Sequence, residues 1–519
     1  MTVPWKPLFL VRIVRWVRDR KITLNGGLLV CAVVVAAFAR IYFASRPEIG
    51  LDDAISADIA ALPFLAMLKF VTWNDPNMSF YYVLLHFWSA IAGNSPLALR
   101  MLSILFSVAA VPAIYLLGCR LFNQSVGLTA AFLLAANATA VDYAQIIRSY
   151  SLVILLVIAS SFFFVKLIAL SKAGARAAWP YVIASILAVY THLHVTVVLI
   201  AHALSACFRS AVRWRTLIAS GVVVGLAVLP LFLVTFGNYQ GQFDWAPQLQ
   251  LKSVAKIVPF LSGAPLFQST ASAIVLTLSS IALASIGALD RDFSAWSRAF
   301  AVNGLMVPLG LCALLALVKP AFFGSPRYLL VCLPFLTLLI ALGINSLRRP
   351  VVILCIVMLL GLWQVALRPL RYERKQNRTY WSEATDYLFS NAKSDDRVVV
   401  GWTYDAWLYW YYEARHDHGH TRHRLAFPDW DAESFSVNGV YIDNTIVPTH
   451  LAAQWIDSAG TKFERLWFIV DSNHDSTTEQ LLTSVRSLHI ETQRTFPDGL
   501  KVILSVRQYS PPESPNGAR

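Results

Sequence analysis

Eleven apolar stretches run through the first 367 of this chain's 519 residues, most of them near or above the ~18 residues that let a helix cross a bilayer. In lipid an unpaired backbone N–H or C=O has no water to turn to. Each stretch must therefore close its own hydrogen bonds, as a helix does. The stretches are 24–43, 98–118, 126–144, 151–170, 179–193, 195–208, 216–236, 266–289, 299–318, 328–346 and 350–367. Only 14% of residues are charged and mean hydropathy is +0.56, against about a quarter charged in a soluble domain. A plain cytosolic enzyme and a disordered chain are both excluded. The fold class read from the sequence is a polytopic α-helical membrane protein with about eleven transmembrane helices.

Charge sets the orientation. Of 43 Lys and Arg, only 17 fall in 368–519, whereas 20 of the 30 Asp and Glu do. The positive excess thus lies in short loops: the N-terminal 1–21, Arg120, Lys172 with Arg176, Arg209 with Arg213 and Arg215, Arg291 with Arg298, and Arg348 with Arg349. Short basic loops face the cytoplasm. This gives a multi-pass protein of the cell (inner or plasma) membrane. Its N-terminus is cytoplasmic, with 24–43 as a retained signal anchor, and its C-terminal tail is periplasmic or extracellular. Nothing in the basic pattern resembles a nucleic-acid footprint.

The first outside loop, 44–97, holds five acids: Glu48, Asp52, Asp53, Asp58 and Asp75. Within it, 79–92 is apolar, aromatic and too short to span, so it reads as an interfacial helix. The tail, 368–510, changes character. It predicts strands at 397–402 and 466–471, a helix at 477–488 and a hairpin 489–496/499–508 across Pro497-Asp498-Gly499, hence a C-terminal extracytoplasmic α/β domain. Residues 511–519 read as a loose end. The six cysteines, Cys31, Cys119, Cys207, Cys312, Cys332 and Cys355, lie in or beside apolar runs and suggest no disulfide framework.

Ionisable groups near the outer ends of spans are costly, so they are the place to seek chemistry. They are Asp52, Asp53, Asp142, Arg148, His192, His194, Lys319 and Arg327 beside Tyr328. Two readings are open: one shared outward cavity, or separate interfacial side chains reaching for water. The run Arg415–His423 holds four histidines, and a solvated loop accounts for it as well as metal binding does. Trp402–Trp407 and Trp410–Tyr412 suit either sugar stacking or an ordinary core.

The residues also resemble a family. Leu51-Asp52-Asp53-Ala54-Ile55-Ser56 is similar to the first-loop L-D-E-A-x-S of the GT-C superfamily of polyprenyl-phosphate-dependent glycosyltransferases, which includes protein O-mannosyltransferases and the lipid A aminoarabinose transferase. Phe80–Trp88 is similar to its H-P-P-L-Y-Y-L-L-L-H-L-W helix. Ala98-Leu99-Arg100, Val111-Pro112, Gly118–Phe122, Tyr143–Tyr150 (Y-S-Q-E-A-R-M-Y), Tyr190-Thr191-His192 and Pro326-Arg327-Tyr328 with Pro334 and Gly343 follow in family order. The resemblance covers residues 5–370 and, more loosely, the tail. Three positions depart from it. Asp53 stands where Glu is usual, Asn77-Met78-Ser79 replaces His-Pro-Pro, and Ile146 replaces a Glu.

The resemblance implies a transmembrane catalytic module over 1–367. It implies transfer of a sugar from a polyprenyl-monophosphate carrier to an extracytoplasmic hydroxyl on a glycan, glycolipid or protein, with inversion, in cell-envelope biogenesis. It points to Asp52 as base, assisted by Asp53. Arg148, Arg327 and Lys319 become donor-phosphate ligands, and His192, Tyr328, Tyr82 and Asn77 substrate contacts. Desolvation at the membrane boundary is expected to raise the Asp52 pKa. The lipid-phosphate sugar is a substrate, not a cofactor. A diphosphate donor would favour a divalent metal, a monophosphate donor needs none, and no firm metal site is legible. The alternative class is a transporter or flippase of lipid-linked sugars. It predicts midplane charge and paired repeats, whereas here the acids gather in an outside loop.

Overall fold

A computed structural model of the chain describes residues 24–42, 44, 48–169, 175–209, 212–237, 257–263, 270–317, 326–376, 380–393, 396–400, 403–416, 439–442, 445–448, 465–471 and 489–506. All eleven apolar stretches are helical where described. They form α1 (Leu24–Ile41), α5 (Pro96–Leu121), α6 (Gln124–Ala136) with α7 (Ala138–Ala144), α8 (Tyr150–Ala169), α9 (Trp179–Thr191), α10 (Val195–Cys207), α11 (Trp214–Gly237), α13 (Thr270–Leu289), α14 (Ala295–Ala316), a 3-10 turn Pro326–Cys332 leading into α15 (Leu333–Ser346), and α16 (Arg349–Gln376). Between α1 and α5 lie α2 (Leu51–Ala61), α3 (Phe64–Asn74) and α4 (Ser79–Ala92); a short α12 (Ile257–Leu261) precedes α13. Among the described residues, five helices are long and apolar enough to cross a membrane alone, or six if a bent pair counts as one. The expected eleven is therefore not reached by single helices of full length. The balance consists of shorter apolar pieces, Asn25–Ile41, Val195–Cys207, Ala273–Leu289 and Arg349–Trp363, together with α9.

The bent pair corrects the expected span 126–144. α6 and α7 meet at 56°, and the break has a local cause. Asn137 leaves the helical conformation and its Oδ1 accepts from the Ala140 N–H at 2.9 Å, starting a new helix. The carbonyls orphaned at the end of α6 are met by Arg40 of α1, whose Nη1 donates to Ala135 O at 2.9 Å and Nη2 to Leu134 O at 3.2 Å. Its Nε donates to Ser107 Oγ at 2.7 Å, and Gln145 returns a bond to the Arg40 carbonyl at 2.8 Å. A buried arginine thus serves as a helix C-cap.

Two hydrophobic cores are distinct. One runs through the bundle helices. The other joins α2, α3 and α4 of the first loop to the tail. In the tail, α17 (Trp381–Asn391) and α18 (Thr403–His416) pack beside a six-stranded sheet. Its order is β3-β2-β1-β4-β6-β5, with β1 Arg397–Val400, β2 Gly439–Ile442, β3 Thr445–Pro448, β4 Arg465–Asp471, β5 His489–Thr495 and β6 Leu500–Val506. β1 and β4 are parallel and the other pairs antiparallel. The expected strands near 397 and 466 and the closing hairpin are all present; the expected helix 477–488 lies outside the described residues. All six cysteines are free.

α18 is buried from Ala406 through Tyr412. The aromatics from Trp407 to Tyr412 are core rather than an open sugar platform, and Trp407 meets Phe70 edge-on at 6.1 Å; Trp402 lies outside the described residues. Tyr412 Oη accepts from the Ile49 N–H at 3.2 Å and donates to Glu48 at 3.4 Å. Sharing a core puts the first loop and the tail at the same end of the bundle.

Within the bundle, α13 and α15 cross where neither can carry a side chain. A Cβ on Gly343 would overlap the Leu283 carbonyl, and one on Gly287 the Leu339 carbonyl. Gly361 on α16 faces open space. Gly343→Val is therefore expected to lower the melting temperature in detergent by the several degrees that 1–3 kcal/mol or more of overpacking implies, and Gly361→Val by far less. Equal melting of the two variants would contradict this crossing.

Candidate functional site

The first-loop helix α2 begins directly after Gly50, so Asp52 and Asp53 occupy its first turn, where the helix dipole favours negative charge. Successive helical residues diverge by about 100°, and the two carboxylates do different things. Asp53 is buried and its Oδ1 accepts from the Ile147 N–H at 2.7 Å. Its Oδ2 lies 3.8 Å from buried Arg100, whose Nη1 also donates to the Ala44 carbonyl at 3.1 Å. Burial pushes the Asp53 carboxyl up, against the pull of Arg100 and the Ile147 bond.

Asp52 instead stays open, with 41% of its side chain exposed. Its two oxygens are held by two different guanidiniums. Arg148 Nη2 donates to Oδ1 at 2.8 Å and Arg327 Nη1 to Oδ2 at 2.6 Å. Arg148 first, then Arg327, hold the carboxyl down at about 2, outweighing burial. The expected rise by desolvation is thus reversed, because ion pairing and desolvation act with opposite signs on a carboxylate and here two cations win.

Arg148 sits in the turn between α7 and α8. Asp53 fixes that turn through Ile147, and Ser103 donates to the Arg148 carbonyl at 3.2 Å. The far side of its guanidinium donates to Tyr82 Oη at 3.2 Å and lies 3.9 Å from Asp75, to which Tyr82 in turn donates at 2.7 Å. Burial pushes the Asp75 carboxyl up while Arg148 pulls it down. Charge therefore alternates along the chain of contacts Asp75, Arg148, Asp52, Arg327. Arg327 leans on Tyr328, 5.7 Å from its ring centre. Tyr328 joins a wall of rings with His192 at 5.3 Å and His194 at 5.0 Å, and Tyr150 lies 6.3 Å from His192. Asn77 Oδ1 accepts from the Leu193 N–H at 2.9 Å, tying the loop to the His192 turn.

Asp52, Asp53, Arg148, Arg327, His192, Tyr328, Tyr82 and Asn77, read from five separate places in the sequence, are thus joined by one set of contacts rather than scattered as separate interfacial residues. Lys319 lies outside the described residues, as does the histidine run beyond His416; His416 itself contacts Asp386 at 2.6 Å. Asp142 lies within α7 rather than in a loop. His86 bonds the Ala60 carbonyl at 2.8 Å and packs on Phe64 and Phe87, as a member of α4. The sequence reading gave no role to Asp75 or Arg100. Their signal was slight: an acid in an acidic loop and a lone cation at the head of a span. Among the described residues no three His, Cys, Asp or Glu side chains gather as metal ligands would.

No family model and no curated protein matches the chain. Solved structures do. The chain is similar to ArnT from Cupriavidus metallidurans bound to undecaprenyl phosphate, with TM-score 0.57 and 13% identity over 95% of this chain and 100% of that one. It is similar to the Archaeoglobus fulgidus oligosaccharyltransferase tethered with an acceptor peptide, with TM-score 0.50 and 13% identity over 93% and 74%. It is also similar to the mycobacterial arabinofuranosyltransferase AftD, with TM-score 0.51 and 14% identity over 94% and 42%. These neighbours are GT-C glycosyltransferases. At such identities the likeness establishes the fold, and the fold is the one the motif order implied.

Two outcomes follow from the pairings. Asp52 is expected to titrate below a free aspartate, near 2, and the midpoint to rise when Arg327→Ala removes one cation; infrared or carboxyl-carbon NMR titration reads it. Because its folded value lies below the unfolded one, Asp52 stabilises the fold above about pH 4, and that contribution fades as pH falls toward 2. Asp53→Ala leaves the Ile147 N–H unpaired and lowers stability by about 1–3 kcal/mol, read as a fall in melting temperature.

Proposed function

We propose that this chain is an integral-membrane glycosyltransferase that moves a sugar from a polyprenyl-monophosphate carrier to a hydroxyl of an extracytoplasmic glycan, glycolipid or protein, with inversion. The observation that carries the reading is the carboxylate of Asp52 held between Arg148 and Arg327, partly open to solvent, in a fold whose solved examples are glycosyltransferases. One of those examples is bound to undecaprenyl phosphate. The transporter or flippase alternative draws no support from these observations.

The chemistry needs three things. A base must take the acceptor hydroxyl proton, and Asp52 is that base. Cations must receive the charge that grows on the phosphate as the sugar–phosphate bond breaks. Arg148 and Arg327 supply fixed, planar donors suited to phosphate oxygens. The Tyr328, His192, His194 and Tyr150 rings bound the space beside Arg327 and offer the sugar a partly apolar wall with polar edges. The acceptor oxygen bonds the anomeric carbon, the carbon–oxygen bond to phosphate breaks, the carrier departs as a phosphate monoester, and the proton rests on Asp52. Asp53 acts through the backbone: it holds the turn that delivers Arg148. Asn77 and Tyr82 act as positioning groups, one on the His192 turn and one on Arg148. In this reading the site and the tail face away from the cytoplasm, and 368–510 forms the extracytoplasmic domain beside the transmembrane module.

Transfer from radiolabelled polyprenyl-phosphate sugars to an envelope extract tests the proposal. Asp52→Asn is expected to abolish transfer while melting as a folded protein; full activity in that variant overturns the assignment of the base. Arg327→Ala is expected to raise the apparent donor KM at least tenfold. An unchanged donor KM would make Arg327 a plain contact to lipid headgroups.

A further inference from the structure

We infer that Asp52 and the donor phosphate compete for the same two cations, Arg148 and Arg327, so that donor binding is an anion exchange which at the same time frees Asp52 to act as base. The inference rests on the proposed function and deepens it, because it says what holds the base inactive until a donor arrives.

Geometry requires the exchange. An inverting displacement puts the attacking and departing oxygens on opposite sides of the anomeric carbon, with the attacking oxygen about 3 Å away at the start. The base that takes the acceptor proton stands beyond that attacking oxygen. The phosphate stands on the other side, on its arginines. Asp52 now touches both arginines, at 2.8 and 2.6 Å. It must give up at least one of them before a sugar can lie between it and the phosphate.

The partners are arranged for such a change. Arg148 does not depend on Asp52 for its position: Tyr82 Oη at 3.2 Å, Asp75 at 3.9 Å and the Met78 sulfur at 4.0 Å hold its other edge. Arg327 keeps its contact with Tyr328. Both guanidiniums can therefore stay in place while their anion changes, which is preorganisation rather than rearrangement. Of the four charged groups, Asp52 is the most open, at 41% exposed against 11% for Arg148, 26% for Arg327 and 30% for Asp75.

Charge is conserved through the cycle. The quartet Asp75, Arg148, Asp52, Arg327 carries two carboxylates and two guanidiniums and is neutral. A donor phosphodiester brings one negative charge. In the transfer step the phosphate gains a second, and Asp52 loses its own by taking the acceptor proton. The arginines thus face the same total charge before and after the chemical step. The groups facing Asp52 from the packed elements are Arg148 and Arg327, Asp53 beside it, Asp75 and Tyr82 across Arg148, and Tyr143, Tyr150 and Tyr328 around Arg327. Once released from both cations in a site that is partly desolvated, a carboxylate regains ordinary basicity or more.

The test is a binding measurement with a short-chain polyprenyl phosphate methyl ester, a phosphodiester of fixed single charge that has no sugar to transfer. Asp52→Asn is expected to bind it about tenfold tighter than wild type, because the competing anion is gone. Asp52→Ala is expected to do the same, which guards against the amide replacing the carboxylate or impairing folding. In an Arg327→Ala background the Asp52 substitution should bring much less gain, as a double-mutant cycle reads it. Weaker or unchanged binding in both Asp52 variants overturns the exchange, as does an equal gain with and without Arg327. Transfer assays on the same proteins decide the base separately: an active Asp52→Asn that binds tighter would sink the base while leaving the exchange standing.

Discussion

The ion pairs of Asp52 with Arg148 and Arg327 are the contacts around which the polar part of this protein is arranged. Two cations brought together in a partly buried site repel one another and are costly to desolvate. They are tolerable because Asp52 bridges them and Asp75 stands behind one of them. Each group then needs its own support. Asp52 and Asp53 open α2 after Gly50, Asp53 pins the backbone that carries Arg148, Arg100 reaches Asp53, and Tyr82 links Asp75 to Arg148. Loss of one member leaves a charge stranded, which is why the network spans the first loop, the α7–α8 turn and the turn before α15.

The helix that bears the carboxylates is held by a protein core. Its inner face packs with α3, α4 and α18, and α18 is itself enclosed by the sheet and α17. The tail therefore acts as a backing plate for the first loop. Tyr412 bonds the backbone just ahead of Gly50, and Trp407 packs on α3. An aromatic-rich helix that suits from sequence either a sugar platform or an ordinary core serves here as core behind the helix that bears Asp52. Precision at the site comes from a soluble-type core, since apolar lipid contacts do little to fix the position of a surface helix.

The bundle was legible because hydropathy alone specifies helix where water is absent; the strands at 397 and 466 and the hairpin at 497–499 were legible from short β-branched and aromatic apolar runs and a Pro-Asp-Gly turn. The break at Asn137 was not. Helix and broken helix have the same hydropathy, and the break depends on Arg40, about a hundred residues away. The site residues were legible in identity, since charge at membrane depth is rare, and their motif order resembled a family. Their partnerships were not. Which of two adjacent aspartates turns inward, and whether desolvation or ion pairing governs Asp52, are decided by contacts 94 to 275 residues apart in sequence. Asp75 was hidden for the same reason: its role exists only through Tyr82 and Arg148.

The departures from the family pattern acquire a physical sense in this network. A Glu at the position of Ile146 would stand two residues before Arg148, in the turn whose backbone Asp53 grips. It would add a third carboxylate beside a pair of arginines already balanced by Asp52 and Asp75. With Ile146 there the two carboxylates and two guanidiniums of the quartet balance one another. The change from His to Asn77 works in the same direction. Asn77 spends its oxygen on the Leu193 N–H and adds no titratable group, so the polar groups around His192 are set by Arg327 and the ring wall. The charge balance of this site is thus a property of the chain's own residues, and the fold it shares with its structural neighbours supplies the frame on which that balance is set.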